Sequence, residues 1–141
     1  MSECLCLCNA IQNAASLLDR QLNAALNGLD ISHCQAAVLV ELVPQSATVS
    51  HLSKVLCCSC GNISQLVDAL EGKELVERVQ SEHDRRRAEV KLTAKGRKLG
   101  EQARDALSTR ASDCCNVFTP EEKSLLRSLL EKYVSAGSSA E

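Results

Sequence analysis

The residues with the most chemistry in this chain are its nine cysteines, and most of them are clustered. Cys4, Cys6 and Cys8 stand near the start, Cys57, Cys58 and Cys60 within four residues, and Cys114 and Cys115 side by side, while Cys34 is alone. Thiols so grouped can be oxidised to sulfenic acid and condensed to a disulfide, can ligate a soft metal, or can simply pack as small apolar groups. No basic segment followed by an apolar run opens the chain, and no apolar stretch reaches the ~20 residues that span a bilayer. The expectation is a cytoplasmic protein, with no membrane partner, whose thiols are reduced.

Within the middle cluster, Cys60 falls where a helix is expected to begin, and there the helix dipole favours a negatively charged sulfur. Cys57, Cys58 and Cys60 together offer trigonal donors for a soft metal or metalloid ion, as an effector and not as a required cofactor. Adjacent cysteines point apart, which argues against a structural zinc ribbon. Cys34, inside an apolar helix, reads as a packing residue. His33, His51 and His83 are scattered and read as non-ligands, and no Cys/His spacing suggests an activated nucleophile. A thiol enzyme or a metal buffer is therefore the alternative of another class, and the reading is of a protein that is not an enzyme.

The elements that must position these thiols are mostly helical, because the apolar content is Leu, Ala and Val with one Phe, one Tyr and no Trp. Cys4, Cys8, Ile11, Ala15, Leu18, Leu22 and Ala25 mark one face of a long helix reaching Leu29, with Cys6 off the stripe. Ser32 and Gln35 form a capping box for a helix to about Leu42, with Ile31 stapled to Ala36. Pro44 ends it, and Thr48 caps the short helix VSHLSKVL. Cys57 and Cys58 make a tight connection to a fourth helix, CGNISQLVDALEGK, capped by Ser59 and burying Ile63, Leu66, Val67 and Leu70. LVERVQ and AEVKLT read as strands joined by the charged loop SEHDRRR. Thr93 caps a helix from Ala94 to about Cys115, and Thr119-Pro120-Glu121-Glu122 starts a last helix ending near Tyr133.

Two short helices joined by a tight turn and followed by a charged hairpin form a winged helix-turn-helix, whose second helix lies in the DNA major groove. Ser59, Cys60, Asn62, Ser64 and Gln65 occupy the start of that helix, where short polar groups reach phosphates or base edges. Arg85, Arg86 and Arg87 sit on the loop, where a guanidinium can enter the minor groove, and Asp84 could orient one of them. Charge follows the same division. The chain carries a net charge of -2, yet residues 51–98 hold ten Lys/Arg against seven Asp/Glu, so the ends are acidic and the middle is basic. The near absence of aromatics disfavours single-stranded RNA as a partner.

The segment ELVERVQSEHDRRRAEVKLTAKGRKL resembles the wing and following helix of MarR-family transcriptional regulators, through the pattern D-R-R-x-x-x-V-x-L-T-x-x-G. The resemblance spans nearly the whole chain and implies a mainly α single domain of residues 1–141, six helices and a β-hairpin wing. It implies an obligate homodimer, with residues 1–30 and 94–134 as dimerisation helices, 32–93 as the DNA-binding lobe and 135–141 as a disordered tail. Its partner would be a pseudo-palindromic double-stranded operator, with Arg86 in the minor groove and the protein acting as a repressor. One departure is Glu74, where the family usually has Gly before the L-V-x-R strand.

Within the family, the organic-hydroperoxide sensors resembling OhrR place a reactive cysteine in the first helix, at the position of Cys8. Some members supply a resolving cysteine from the partner subunit near the end of the fifth helix, which matches Cys114 or Cys115. The resemblance thus makes Cys8, with Cys4, Cys114 and Cys115, a sensor group or a second set of soft-ion ligands, beside Cys57, Cys58 and Cys60. The rival within the fold is release by a small aromatic or phenolic ligand bound between dimer helices and winged lobe, with the cysteines as packing residues.

Overall fold

The computed structural model describes residues 2–138. Its elements are α1 (Glu3–Ala25), α2 (His33–Leu42), α3 (Val49–Val55), α4 (Cys60–Gly72), β1 (Val76–Gln80), β2 (Ala88–Leu92), α5 (Ala94–Cys115) and α6 (Pro120–Ser138). Four inner helices begin on a hydroxyl that satisfies an otherwise unpaired backbone N–H three residues on. Ser32, Thr48, Ser59 and Thr93 accept from the amides of Gln35, His51, Asn62 and Gly96 at 3.2, 3.1, 3.2 and 3.0 Å. The Gln35 side chain returns the bond to Ser32 N at 3.1 Å, completing the capping box. At α6, Glu122 reaches back to the Thr119 amide at 2.9 Å and Thr119 accepts from Glu122 N at 3.2 Å.

The hairpin is antiparallel, pairing Val76 with Leu92, Arg78 with Val90 and Gln80 with Ala88. A third short segment joins it, because Ala47 exchanges both backbone bonds with Val90, at 3.1 and 2.7 Å. That bridge, between Pro44 and Thr48, was not apparent from the sequence. One residue carries too little alternation to read as a strand.

The main core packs Leu39, Leu42, Leu52, Ile63, Val67, Leu70, Val76 and Val90 between α2, α3, α4 and the hairpin. Each buried aliphatic side chain contributes about 1.5–3 kcal/mol relative to exposure. A smaller cluster of Leu26, Ala36 and Ala103, flanked by Ile31, ties the end of α1 to α2 and α5. Leu26 thus meets Ala103 while Gln21, earlier on α1, meets Cys114, so the two helices run antiparallel. The first four turns of α1 consequently project past the end of α5.

Three boundaries differ from expectation. α1 stops at Ala25 and not at Leu29, because Gly28 takes a φ of 89° and Asp30 a φ of 54°, which turns the chain into α2. α6 continues to Ser138, past the expected end near Tyr133, so residues 135–138 are helical and not a disordered tail. There the Ser135 and Ser138 hydroxyls donate to the carbonyls of Glu131 and Val134 at 2.9 and 3.0 Å, folding their polar groups back onto the helix. Residues 139–141 of that expected tail lie outside the described residues. Cys34, expected to pack, is exposed in the protomer, because α2 turns its first two residues away from the core that Ala36, Val38 and Leu39 enter.

Neither α1 nor α6 has a buried residue in the protomer. Leu5, Leu17 and Leu18 on α1, and Leu125, Leu126, Leu129, Leu130 and Tyr133 on α6, are all exposed, at 40% or more. So large an apolar surface at helical spacing marks an association face.

Candidate nucleic-acid interface

The turn before α4 sets the recognition helix in place. Leu56 closes α3, and Cys57 takes a φ of 51°, in the left-handed region, reversing the chain in one residue. Cys58 N–H donates to Ser53 O at 3.1 Å, and the Ser53 hydroxyl donates to the Cys58 carbonyl, which fastens the turn to α3. Ser59 then stands extended as the cap of α4. Its oxygen is committed to Asn62 N, which leaves its proton for a phosphate oxygen.

On α4 the apolar face is spent on the core through Ile63, Val67 and Leu70. Cys60, Asn62 and Gln65 are exposed, Ser64 is half-buried, and all lie within the first turn and a half. Asp68, further along the polar face, has another occupation. Arg78 on β1 bonds Asp68 Oδ1 through Nη2 at 2.7 Å and Glu71 Oε2 through Nη1 at 2.5 Å, strapping the wing to the recognition helix. The Asp68 hydrogen bond and the two carboxylate charges hold the guanidinium proton more tightly than usual.

The wing loop is internally braced. Ser81 Oγ accepts from His83 N and Asp84 N, Asp84 Oδ1 accepts from Arg86 N at 3.0 Å, and Ser81 N–H donates to Arg87 O at 2.9 Å. Asp84 also lies 3.8 Å from Arg87 Nε, so the expected orienting role falls on the Arg86 backbone and the Arg87 side chain. Gln80 Nε2 donates to Arg85 O at 2.6 Å. Arg85, Arg86 and Arg87 are all exposed, so three guanidinium groups project from a loop with fixed backbone geometry. At the base of the wing, the Ser46 hydroxyl bonds Glu89 Oε2 at 2.6 Å and, with Ser81, holds that carboxyl below its ordinary range.

The junction of recognition helix, wing and α5 is the most constrained part of the lobe. Glu74 takes a φ of 60°, and this is why Gly is usual there. Its carbonyl accepts from Thr93 Oγ1 at 2.7 Å, while Leu75 O accepts from Thr93 N at 3.1 Å. The start of α5 therefore lies directly on the α4–β1 turn. A Cβ on Gly96 would fall 1.8 Å from Leu75 O, so the T-x-x-G element is the cap of α5 and the residue that lets it dock.

The thiols are less assembled than their spacing suggested. All nine cysteines are free, with Cys58 and Cys114 half-buried and the others exposed. Cys58 Sγ lies 3.3 Å from Leu56 O and its side chain packs on the core, whereas Cys57 Sγ lies 3.9 Å from Lys54 O. The two neighbouring sulfurs thus have different partners. Neither Cys57, Cys58 and Cys60 nor Cys4, Cys8, Cys114 and Cys115 converge as a metal set, and no group of three or more His, Cys, Asp or Glu among the described residues could hold an ion. Cys57 and Cys60 do stand in C-x-x-C spacing at the start of a helix, a relation visible in the sequence that composition by clusters obscures.

Cys114 Sγ contacts Gln21 Oε1 at 3.2 Å. Gln21 is thirteen residues from Cys8, about 20 Å along a helix rising 1.5 Å per residue. Cys8 and Cys114 of one chain are therefore too far apart to form a disulfide, and only a second protomer could bring such thiols together. His33, placed among the scattered histidines, has a partner that sequence reasoning missed: its Nδ1 lies 3.1 Å from Asp19 Oδ1 on α1. Beside it, burial, the Asp19 carboxylate and Cys58 raise the Cys34 thiol above its ordinary value, favouring the protonated form.

This architecture matches known proteins. The MarR family model matches residues 32–88. The multiple antibiotic resistance protein MarR of Escherichia coli is 33% identical over 118 residues, which are 82% of each chain. A crystal structure of a mutant MarR from Escherichia coli complexed with operator DNA superposes with a TM-score of 0.82 at 31% identity, covering 93% of this chain and 95% of that one. The oxidised form of the same protein superposes at 0.70 with 30% identity, covering 91% and 93%. Members of this family are transcription regulators and not enzymes, and no helix among the described residues is long and apolar enough to cross a membrane. With its winged lobe, its D-R-R wing and its uncovered α1 and α6 faces, the chain belongs to the MarR family of DNA-binding transcriptional regulators.

Proposed function

We propose that this protein is a homodimeric repressor of MarR type whose affinity for a pseudo-palindromic operator is set by cysteine chemistry. Two lobes presented by paired α1 and α6 faces would place two α4 helices in successive major grooves and two wings in the flanking minor grooves. The observation that carries thiol control is the exposure of Cys57 and Cys60 on either side of the Ser59 cap, at the DNA-facing end of α4. A sulfur modified there stands between the recognition helix and the phosphates. Oxidation at Cys8 with resolution by Cys114 or Cys115 of the other subunit is a second route to the same end, consistent with the distance that rules out pairing within one chain.

The test is an electrophoretic mobility shift with the protein's own upstream region. Specific, salt-sensitive binding is expected, weakened about tenfold or more by Arg86→Ala. Peroxide, diamide and arsenite are then applied to wild type, Cys8→Ser and Cys60→Ser. Release in wild type, lost in one variant, identifies the thiol, and DNA binding indifferent to every reagent would end the cysteine reading.

A specific observation also favours the ligand-release reading. A cavity of about 470 Å³ lies where the α1–α2 turn meets α5, lined by Leu29, Ile31, Leu75 and Leu99 and by Lys73, Lys95 and Lys98, with Asp30, 3.9 Å from Lys73 Nζ, and Gln102 beside them. Apolar walls under ammonium groups suit a small aromatic carboxylate or phenolate. Displacement of operator by benzoate, lost on Leu99→Trp, would select this reading over thiol control.

A further inference from the structure

The recognition helix α4 carries neither lysine nor arginine, and its only charged residues are Asp68 and Glu71. An Arg or Lys against O6 and N7 of guanine is the commonest base-specific contact in the major groove, and α4 has no group that can make it. A carboxylate could accept from the amino group of cytosine, but Arg78 engages Asp68 at 2.7 Å and Glu71 at 2.5 Å. Sequence must then be read by what remains near the start of the helix. The Ser64 hydroxyl can donate or accept and so separates bases poorly, and the Cys60 thiol is a weak donor.

Asn62 and Gln65 differ from these. Both are exposed, and among the described residues neither side-chain amide has a hydrogen-bond partner, since Ser59 takes only the backbone N–H of Asn62. Each amide presents a donor and an acceptor side by side, the complement of N7 and the N6 amino group of adenine. Three residues apart, they are separated by about 4.5 Å along the helix axis, close to the stacking distance of about 3.4 Å between base pairs. One turn before Gln65, on the same side of the helix, stands Gly61. Its φ is not positive, and a Cβ built there meets only Ser59 Oγ, at 3.9 Å, so neither backbone nor packing within the protomer requires glycine. A bare backbone at that point lets the helix lie closer to the floor of the groove.

We infer that α4 is an adenine reader: Asn62 and Gln65 each pair in bidentate fashion with an adenine, on neighbouring base pairs of each operator half-site, and the helix itself specifies no guanine. Attraction to phosphate comes from outside the helix, from the exposed Lys54 and the wing arginines. The inference rests on the operator-binding reading and gives it a base-level content.

The experiment selects binding sites for the full-length protein from a library of random-sequence duplexes at near-physiological salt. Wild type is expected to enrich two closely spaced adenines in each half-site. Gln65→Ala is expected to lose one of them, Asn62→Ala the other, and Gln65→Arg to exchange the first for guanine. In the selected duplex the adenine assigned to Gln65 is then replaced by 7-deazaadenine, which removes N7 and keeps the Watson–Crick pair. Wild-type affinity is expected to fall about tenfold, while that of Gln65→Ala does not respond to the replacement. An adenine retained in its alanine variant, or a 7-deazaadenine effect as large in Gln65→Ala as in wild type, overturns the inference, as does guanine at either position in the wild-type selection. If wild type selects no sequence, the operator-binding reading itself fails. Sequence-selective binding with any of the overturning results sinks the adenine reading alone.

Discussion

Replacing Gly96 by alanine tests the junction that orients the whole DNA-binding lobe. The residue sits in the first turn of α5, and on helix propensity alone alanine should stabilise that turn by about 1 kcal/mol. The geometry opposes this. The added Cβ would lie 1.8 Å from Leu75 O, whereas ordinary contact begins near 3.4 Å, so the start of α5 must withdraw by about 1.6 Å from the α4–β1 turn. The obstacle is backbone, which has no rotamer to yield. Withdrawal stretches Thr93 N–H to Leu75 O, now 3.1 Å, and Thr93 Oγ1 to Glu74 O, now 2.7 Å. Two hydrogen bonds worth about 1 kcal/mol each, with overpacking of about 1–3 kcal/mol, outweigh the propensity gain. A net loss of about 2–4 kcal/mol follows, roughly a 10 °C fall in Tm. The assay is thermal unfolding by circular dichroism at equal protomer concentration, because association contributes to the stability of a dimer. A Tm equal to or above wild type would refute the close-approach argument.

Other consequences can be checked in the same way. Glu74→Gly should stabilise the protein by about 1 kcal/mol, since a φ of 60° is unfavourable for any residue with a Cβ; a lower urea midpoint contradicts it. Arg78→Ala should cost only about 1 kcal/mol, because Asp68 and Glu71 remain partly solvated, yet weaken operator binding by freeing the wing from α4; unchanged affinity shows that the strap does not position the wing. Cys34, whose thiol is held protonated by partial burial and by Asp19, should alkylate more slowly at pH 7.5 than the exposed Cys6 on α1, and peptide mapping ranks the two directly. The Glu89 carboxyl is depressed in the folded state by Ser46, so its contribution is complete above the unfolded value, about pH 4.3, and is lost as pH falls through the lower folded value. Ser46→Ala should therefore flatten the acid limb of the stability profile, and an unchanged limb rejects the contact.

Local signals carried most of the element boundaries, because each rests on residues within one turn of one another. Ser32 with Gln35, Thr48, Ser59, Thr93 and Thr119 with Glu122 were legible as caps, and each one caps the helix it was read to start. The wing pattern D-R-R-x-x-x-V-x-L-T-x-x-G likewise identified the family and the exposed guanidinium groups. The sequence also exposed Glu74 as a departure, though not what it costs.

What a pattern along the chain cannot report is direction and distance across the fold. Spacing made Cys57, Cys58 and Cys60 look like one ligand set, but Cys58 Sγ meets Leu56 O and packs on the core, Cys57 Sγ meets Lys54 O, and among the described residues the three form no group that could hold an ion. Helical phase put Cys4 and Cys8 on one face, yet only the antiparallel packing of α1 on α5 shows that Cys8 lies about 20 Å from Cys114 of its own chain. The strap from Arg78 to Asp68 and Glu71, the His33–Asp19 pair and the Ala47–Val90 bridge join residues far apart in sequence, with no local residue to announce them. The sequence by itself therefore determined the helices, the wing and the family, which are written in caps and periodicity. Only the tertiary structure decided which thiols of one chain can meet and which cannot, because that depends on how rigid helices are turned and stacked.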